Sequence, residues 1–444
     1  MARSVALSAC FVVSLCVACS GGENGATSPP SFTAGAAGAP AQVITAGSGG
    51  DTTTPMAGSA GTPSMGGSSD VGGGAGTGTG GGAGAAAAGA SGAFADDPGT
   101  DGDGMFKISG YKDAPEYTRA AGVPKGVTFN FTFAAKDSVI YPKAIDRKVV
   151  VYVPTQYKMG TLAGVLVVQD GTDFYGFDSS VPAVLDNLIS TGKIPPIVCV
   201  FTGNGGGDYI GSERGLEYDT VSGMYAKWVD TELLPRVEKE TATRMPTQAV
   251  TFTHNPEGRA SMGGSSGGAA SFSMVWWRPD LFRRVITFSG TYVNQVASGT
   301  PFKHGAWIYH DIDPYNAMTP NGLIMNSCQK SSGPKTASEV EPCDTPTTKA
   351  ACEAVSGCMW NDSVAKPIRA WLEAGTKDNE AGEGPSSYRD FLLANQRMAA
   401  SLMGRKYHFH YDEAAGATHV DQGPLRQTLP SALTWLWRGY KAGT

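Results

Sequence analysis

The chain has 444 residues, a net charge of −6 at neutral pH, and 60 glycines that cluster towards its start. This mild acidity, with no run of basic residues and no aromatic residues interleaved with basic ones, excludes nucleic acid as an expected partner. Beyond the N-terminal segment no apolar stretch reaches the length of a transmembrane helix, so we expect any membrane contact to come through the N-terminus.

Residues 1–19 have the pattern of an export signal. A short basic start is followed by the apolar run Val5 to Ala18 and then by Cys19. Small residues precede this cysteine, as in the signals of bacterial lipoproteins, so we expect Cys19 to be lipidated and to anchor an exported protein at the outer membrane, the cell surface or the periplasm. Ordinary signal-peptidase cleavage near Ala18 stays open, since Cys16 stands where leucine is usual.

Residues 20–103 read as a flexible tether. As far as Ala95 the segment is almost all Gly, Ala, Ser, Thr and Pro, with three charged residues. It has no periodic apolar residues whose burial could offset the loss of chain entropy. We therefore expect the folded domain to occupy residues 104–444 and the tether to act as its spacer.

From Val127 onward, short apolar runs alternate with amphipathic segments, which predicts a sheet with helices on both faces. The near-continuous apolar runs at Gly164–Gln169 and Ile197–Phe201 favour buried parallel strands. We expect an α/β-hydrolase fold with a mostly parallel sheet. Its other predicted strands are Val127–Phe133, Lys148–Val153, Arg259–Met262, Arg284–Phe288, Ile368–Ala374 and Lys406–Tyr411, and its predicted helices are Pro182–Ser190, Tyr225–Glu238, Ala269–Trp277, Ser387–Met403 and Leu429–Tyr440.

The segment Gly263-Gly-Ser265-Ser-Gly267 contains a Gly-x-Ser-x-Gly core between a predicted strand and a predicted helix. In a nucleophile elbow the serine takes strained backbone angles, so the residues two before and two after it must be small. This places Ser265 as the predicted nucleophile of a serine hydrolase. We nominate two backbone amides for the oxyanion: that of Ser266, and that of Thr172 in the loop after Gln169, where Asp173 could instead contact substrate.

Four of the eight cysteines lie in a polar insertion at residues 326–361, namely Cys328, Cys343, Cys352 and Cys358. An even, clustered number in an exported chain indicates two disulfides. Zinc is the alternative, but the spacing is too wide for close ligand pairs and no histidine is near, so we expect no metal. Three pairings are open, and we favour a bridge between Cys352 and Cys358.

In this fold the chain order is nucleophile, acid, histidine. Among the six histidines, His408 and His410 alternate within a predicted strand, so both point to one face of the sheet and we expect them to be structural. His419 lies in a loop of small residues after that strand. We therefore predict His419 as the general base. Asp378 is the first carboxylate in the loop after Ile368–Ala374 and is the predicted acid, with Glu373 and Glu380 as weaker alternatives.

Several motifs together resemble the putative-esterase family that includes the enterochelin esterases. They are Gly122-Val-Pro-Lys-Gly126, Val151-Tyr-Val-Pro-Thr-Gln-Tyr157, Val168-Gln-Asp-Gly171, Glu213-Arg-Gly-Leu-Glu-Tyr-Asp219, Gly258-Arg-Ala with Ser265-Ser-Gly-Gly268, Arg278-Pro-Asp-Leu-Phe282 and Trp435-Leu-Trp-Arg438. The resemblance implies ester hydrolysis without a cofactor and a triad of Ser265, Asp378 and His419. It also matches Arg214 and Glu217 to a charged segment beside the cleft, with a structural ion pair as the equal alternative. The insertion at 326–361 is not part of the family pattern.

We thus expect a serine esterase acting on small-molecule or carbohydrate esters, siderophore esters among them. Two other functions stay open: a catalytically inactive hydrolase that serves as a surface binding protein, and an acyltransferase on the same fold.

Overall fold

The computed structural model describes residues 98–442 apart from 173, 298–299, 301, 312–321, 331–341 and 362–364. The predicted signal with Cys19, almost all of the predicted tether, and Asp173 lie outside the described residues. Strands β1 to β12 are Gly104–Ile108, Val127–Phe133, Arg147–Val153, Leu162–Gln169, Ile197–Thr202, Thr251–Phe252, Arg259–Gly264, Arg284–Phe288, Ser327–Lys330, Cys358–Asn361, Arg369–Gly375 and His408–Ala414. Helices α1 to α8 are Phe177–Ser190, Glu213–Tyr218, Met224–Trp228, Leu234–Arg244, Ser266–Trp277, Lys349–Glu353, Phe391–Gly404 and Gln422–Trp437.

One sheet organises the described part of the chain, with its strands in the order β1-β12-β11-β8-β7-β4-β5-β3-β2 and β6 paired to β4. Neighbouring strands are parallel through the first part of this order, which contains β1, β12, β11, β8, β7, β4 and β5. At the far edge β3 pairs antiparallel with β5, and β2 pairs antiparallel with β3. The mostly parallel sheet predicted from the sequence is confirmed. Because all parallel strands end at one edge, the loops that follow them meet there.

The two faces of the sheet are covered by different helices. On one face Val165 and Val167 of β4 belong to the same buried cluster as side chains of α5 and α7. On the other face Leu166 and Val168 join side chains of α1 and α8. This alternation along one strand explains why its sequence is apolar at four successive positions from Val165 to Val168. The prediction of helices on both faces is also correct.

Helix boundaries differ from the sequence prediction at two prolines. Helix α1 begins at Phe177 and carries Pro182 in its interior, and α8 begins at Gln422 and carries Pro430. We expected starts at Pro182 and Leu429, so both predicted helices began too late in the chain. In α8 the real start is fixed by Asp421, whose side chain accepts a hydrogen bond from the Gly423 amide.

Strand β1 was not predicted and pairs in parallel with β12 at the sheet edge. Asp103, just before it, accepts hydrogen bonds from the Trp435 indole and contacts the His408 ring at 2.8 Å. His410 stacks on Trp371 with ring centroids 3.5 Å apart. Both histidines of β12 therefore belong to the packing at this edge, in agreement with the structural role that we expected.

The cysteine-bearing insertion forms the antiparallel pair β9 and β10 with α6 beside it. Its two disulfides join Cys328 to Cys352 and Cys343 to Cys358. Two bridges were predicted correctly, but the bridge from Cys352 to Cys358 was wrong. One bridge joins Cys328 of β9 to Cys352 of α6, and the other joins Cys343 to Cys358 at the start of β10, so neither bridge connects α6 with β10. Cys199, outside the insertion, is a buried free thiol.

Candidate active site

Ser265 lies between β7 and α5 with backbone angles φ 55° and ψ −128°. Residues other than glycine rarely adopt a positive φ, so Ser265 is held in a strained turn. The turn brings two backbones together: a Cβ atom on Gly263 would lie 2.4 Å from the carbonyl group of Gly267. Glycine is therefore required here because the main chains approach too closely for any side chain, and the predicted elbow geometry is present.

A continuous chain of hydrogen bonds joins three residues from three different loops. His419 Nε2 lies 2.9 Å from Ser265 Oγ, and His419 Nδ1 lies 2.6 Å from Asp378 Oδ1. The three residues follow β7, β12 and β11, whose carboxyl ends share one edge of the sheet. The structure thus brings together the serine, histidine and aspartate that the chain order singled out.

The loop that carries the histidine is hydrogen-bonded to the loop that carries the aspartate. The Lys377 amide donates to the Ala417 carbonyl at 2.9 Å, and a Cβ atom on Gly375 would lie 2.2 Å from the same oxygen. The Asn379 amide donates to Asp378 Oδ1 at 2.7 Å, so this carboxylate accepts two hydrogen bonds on one oxygen. Asp378 is buried, and its position relative to His419 is fixed by backbone contacts.

The two alternative acids lie elsewhere. Glu373 is buried within β11 and accepts a hydrogen bond from the Thr428 hydroxyl, 2.6 Å away. Burial, opposed by this hydrogen bond, raises the pKa of Glu373 to about 8. Glu380 forms an ion pair with Arg389. Of the three candidate acids, the one hydrogen-bonded to His419 is Asp378.

The predicted oxyanion donors sit on neighbouring segments. Ser266 is the first residue of α5, and Thr172 lies in the loop after β4. A Cβ atom on Gly267 would lie 3.2 Å from the Gln169 side chain, so the start of α5 packs directly against the end of β4. This arrangement puts both predicted amides at the carboxyl edge of the sheet. Their role in binding an oxyanion stays a prediction.

Two hydroxyl groups next to the nucleophile were not predicted. Thr291 Oγ1 lies 3.2 Å from Ser265 Oγ. The Tyr175 hydroxyl also forms a hydrogen bond with Ser265, and burial raises the pKa of Tyr175 to about 12. Neither residue belongs to a motif in the sequence, because both reach Ser265 from loops whose paths depend on the whole fold.

Arg214 and Glu217 do not pair with each other. Arg214 binds Asp170 with Nη2 at 2.7 Å and binds Asp208 with Nη1 at 2.6 Å. Glu217 binds Arg147 at 2.5 Å and accepts from the Gly205 amide at 2.7 Å. The alternative of a structural role fits both residues, but they lie in two separate ion pairs, because α2 turns the two side chains towards different loops. Glu217 is 1% exposed, so its carboxylate has little surface to offer a substrate.

No cluster of three or more His, Cys, Asp or Glu side chains suited to a metal ion occurs within the described ranges. The four cysteines of the insertion are consumed by its two disulfides, which removes the zinc alternative. Within the part of the chain that the structure covers, every helix is too short or too polar to cross a bilayer.

A family model described as a putative esterase matches residues 144–436. No curated protein is similar enough to count as a match. Among solved structures, the enterobactin esterase from Shigella flexneri aligns at 19% identity with a TM-score of 0.44, covering 73% of this chain and 62% of its own. A ferulic acid esterase from the anaerobic fungus Anaeromyces mucronatus aligns at 17% identity with a TM-score of 0.44, covering 74% of this chain and 97% of its own.

Proposed function

We propose that this chain, which belongs to the putative-esterase family, is a carboxylic ester hydrolase that acts through a Ser-His-Asp triad. In this proposal Ser265 is the nucleophile, His419 is the general base and acid, and Asp378 orients the imidazole. The single observation that supports it best is the hydrogen-bond chain from Ser265 through His419 to Asp378, at 2.9 and 2.6 Å.

The proposed reaction has two halves. Ser265 Oγ attacks the ester carbonyl carbon while His419 Nε2 accepts the hydroxyl proton, and the resulting tetrahedral oxyanion is bound by the amides of Ser266 and Thr172. Collapse breaks the bond to the alcohol oxygen, which takes the proton from His419 and leaves an acyl-enzyme. Water then attacks the acyl carbonyl carbon and gives a proton to His419. Collapse of this second tetrahedral intermediate breaks the bond to Ser265 Oγ, which takes the proton back from His419, and the acid is released.

The test compares matched serine variants. Ser265→Ala should abolish covalent labelling by a fluorophosphonate and lower ester turnover by roughly three orders of magnitude or more, with His419→Ala comparable and Asp378→Asn milder. Ser261→Ala is the control, because Ser261 Oγ is buried and donates to the Ser271 carbonyl. If Ser265→Ala kept both labelling and turnover, the triad assignment would be wrong.

For the substrate we propose a small-molecule or carbohydrate ester, with siderophore esters included. This proposal rests on the class of esters that the family resemblance implies. Hydrolysis of siderophore lactones, acetylated xylan, feruloyl esters and sugar lactones by the purified domain would compare the candidates directly. A sugar or alcohol added as competing acceptor would reveal acyl transfer, since it would divert product away from the free acid.

We also propose that the mature protein is lipidated at Cys19 and held at a membrane through that lipid, with residues 20–97 as the spacer. The support is the signal-like sequence before the cysteine. Cys19→Ala should move the protein from the membrane fraction to the soluble exported fraction. Unchanged fractionation, or a mature chain that starts at another residue, would contradict the anchor.

A further inference from the structure

Ser266, the residue after the nucleophile, is held by two polar side chains that the proposed reaction does not use. Asp219 follows α2, and Gln295 lies in the loop after β8. Gln295 Nε2 donates to Asp219 Oδ2 at 3.0 Å and lies 3.3 Å from Ser266 Oγ. The Ser266 hydroxyl also forms a hydrogen bond with Asp219. These three residues are called the Asp219 cluster below.

The Asp219 cluster acts on the residue whose backbone must be placed most accurately. Ser266 opens α5, and the preceding Ser265 provides no side-chain cap for the helix. Ser266 is 1% exposed, so its hydroxyl group is not accessible to water and is held in one orientation by its hydrogen bonds within the cluster. A side chain fixed in this way fixes the direction of the amide of its own residue, and that amide is the one assigned to the oxyanion.

The cluster also contains a buried carboxyl group, that of Asp219. Asp219 is buried, and its Oδ1 atom has no hydrogen-bond partner. Burial raises the pKa of Asp219 to about 6, the hydrogen bonds from Gln295 and Ser266 and the charge of Arg214 lower it, and the charge of Asp170 raises it. An anion at this position would lie near the Ser266 side chain and would oppose the negative charge that the proposed reaction forms at the amide of the same residue.

We propose that Asp219 is a positioning residue for the oxyanion site, holding Ser266 together with Gln295, and that its neutral form supports catalysis better than its anion. This inference rests on the proposed serine-esterase function. Asp219 itself does not touch the reacting atoms and acts through Ser266.

The first arm of the test uses Asp219→Asn, which keeps the shape of the side chain and cannot ionise. With p-nitrophenyl acetate followed at the isosbestic wavelength of the phenol, the ratio of kcat in the variant to kcat in the wild type should be close to one at roughly pH 5 and several-fold higher at about pH 8. The ratio removes titrations common to both proteins, and its midpoint should lie at about 6. A ratio that is constant with pH would overturn the role of the charge.

The second arm uses Gln295→Met, which removes the amide that links Asp219 to Ser266. We expect kcat to fall about tenfold at every pH with KM unchanged, and Ser266→Ala to give the same result. Equal kcat in Gln295→Met and wild type would overturn the positioning role, even if Asp219→Asn failed to fold. The triad is tested separately: an active Ser265→Ala variant would refute the proposed function, whereas inactivity of that variant with flat ratios here would refute only this inference.

Discussion

The Arg214 guanidinium holds the Asp170 carboxylate by two contacts to one oxygen, with Nη2 2.7 Å and Nε 3.1 Å from Oδ2. Asp170 is fully buried, has a φ of 50°, and also accepts from Asn204 Nδ2 at 2.8 Å. It immediately precedes the loop that carries Thr172. The ion pair therefore fixes the strained end of β4, from which the second predicted oxyanion donor projects.

Arg214→Met should destabilise the fold by roughly 3–5 kcal/mol, because it leaves the Asp170 charge buried without its cation. Thermal unfolding would measure the loss, and ester turnover should fall with it as the Thr172 loop shifts. Arg236→Met is the matched control, since Arg236 makes its ion pairs at the surface with Asp137 and Glu240 and should change stability by less than about 1 kcal/mol. Equal stability of Arg214→Met and wild type would mean that the ion pair between Arg214 and Asp170 does not stabilise the fold.

The contrast between Arg214 and Ser265 shows what sequence could predict. The elbow was predictable because its cause is local. The main chains of Gly263 and Gly267 approach each other closely in the turn that Ser265 makes, and all three residues lie within five positions. The acid and the histidine followed from the order of strands along the chain. The partners of Arg214 were not predictable, since Asp170 is 44 positions away and nothing in the local pattern joins them.

The difference between local causes and contacts of distant residues also explains which other predictions were correct. The number of disulfides followed from the cysteine count, whereas the pairing depended on how β9, β10 and α6 pack and was predicted wrongly. Asp219 and Gln295 are 76 positions apart and neither belongs to a motif of known chemistry. Their contact arises only because the loops after α2 and β8 both reach the start of α5.

Stability should fall as pH rises because of Glu373. Its pKa is raised to about 8, mainly by burial, so the folded state keeps a proton that the unfolded chain loses near pH 4.5. The contribution is fully present below that lower pH and is lost as pH rises through about 8, amounting to a few kcal/mol at most on the scale of roughly 1.4 kcal/mol per pH unit. Denaturant unfolding between these pH values would measure it.

Glu373→Gln separates this effect from other titrations. The glutamine retains an acceptor for the Thr428 hydroxyl and has no proton to lose. We expect the variant to lose less stability than the wild type between about pH 5 and 9. Glu353→Gln, at an exposed glutamate of α6, is the control and should keep the wild-type slope. A Glu373→Gln variant with the wild-type pH dependence would show that another group causes it.

Removal of residues 1–97 should leave the esterase domain stable and active, whereas removal of residues 1–109 should not. The longer deletion removes β1 and Asp103, which bonds to the Trp435 indole and the His408 ring. We expect it to cost roughly 2 kcal/mol or more, at about 1 kcal/mol for each hydrogen bond lost. Thermal unfolding of the two truncated chains provides the comparison, and equal stability would mean that β1 does not contribute to the domain.

Tyr175→Phe should lower kcat without changing KM or the melting temperature. The Tyr175 hydroxyl forms a hydrogen bond with Ser265, and its ring packs against the elbow, where a Cβ atom on Gly264 would lie 2.9 Å from Cε2. Phenylalanine keeps that packing and removes the hydrogen bond alone, so the nucleophile loses an orienting contact while the fold does not change. One such bond contributes about 0.5–1.5 kcal/mol, which corresponds to a decrease in kcat of roughly two- to tenfold. Tyr209→Phe is the control, because Tyr209 is 71% exposed. A Tyr175→Phe enzyme with wild-type kcat would show that the hydroxyl does not orient Ser265 during turnover.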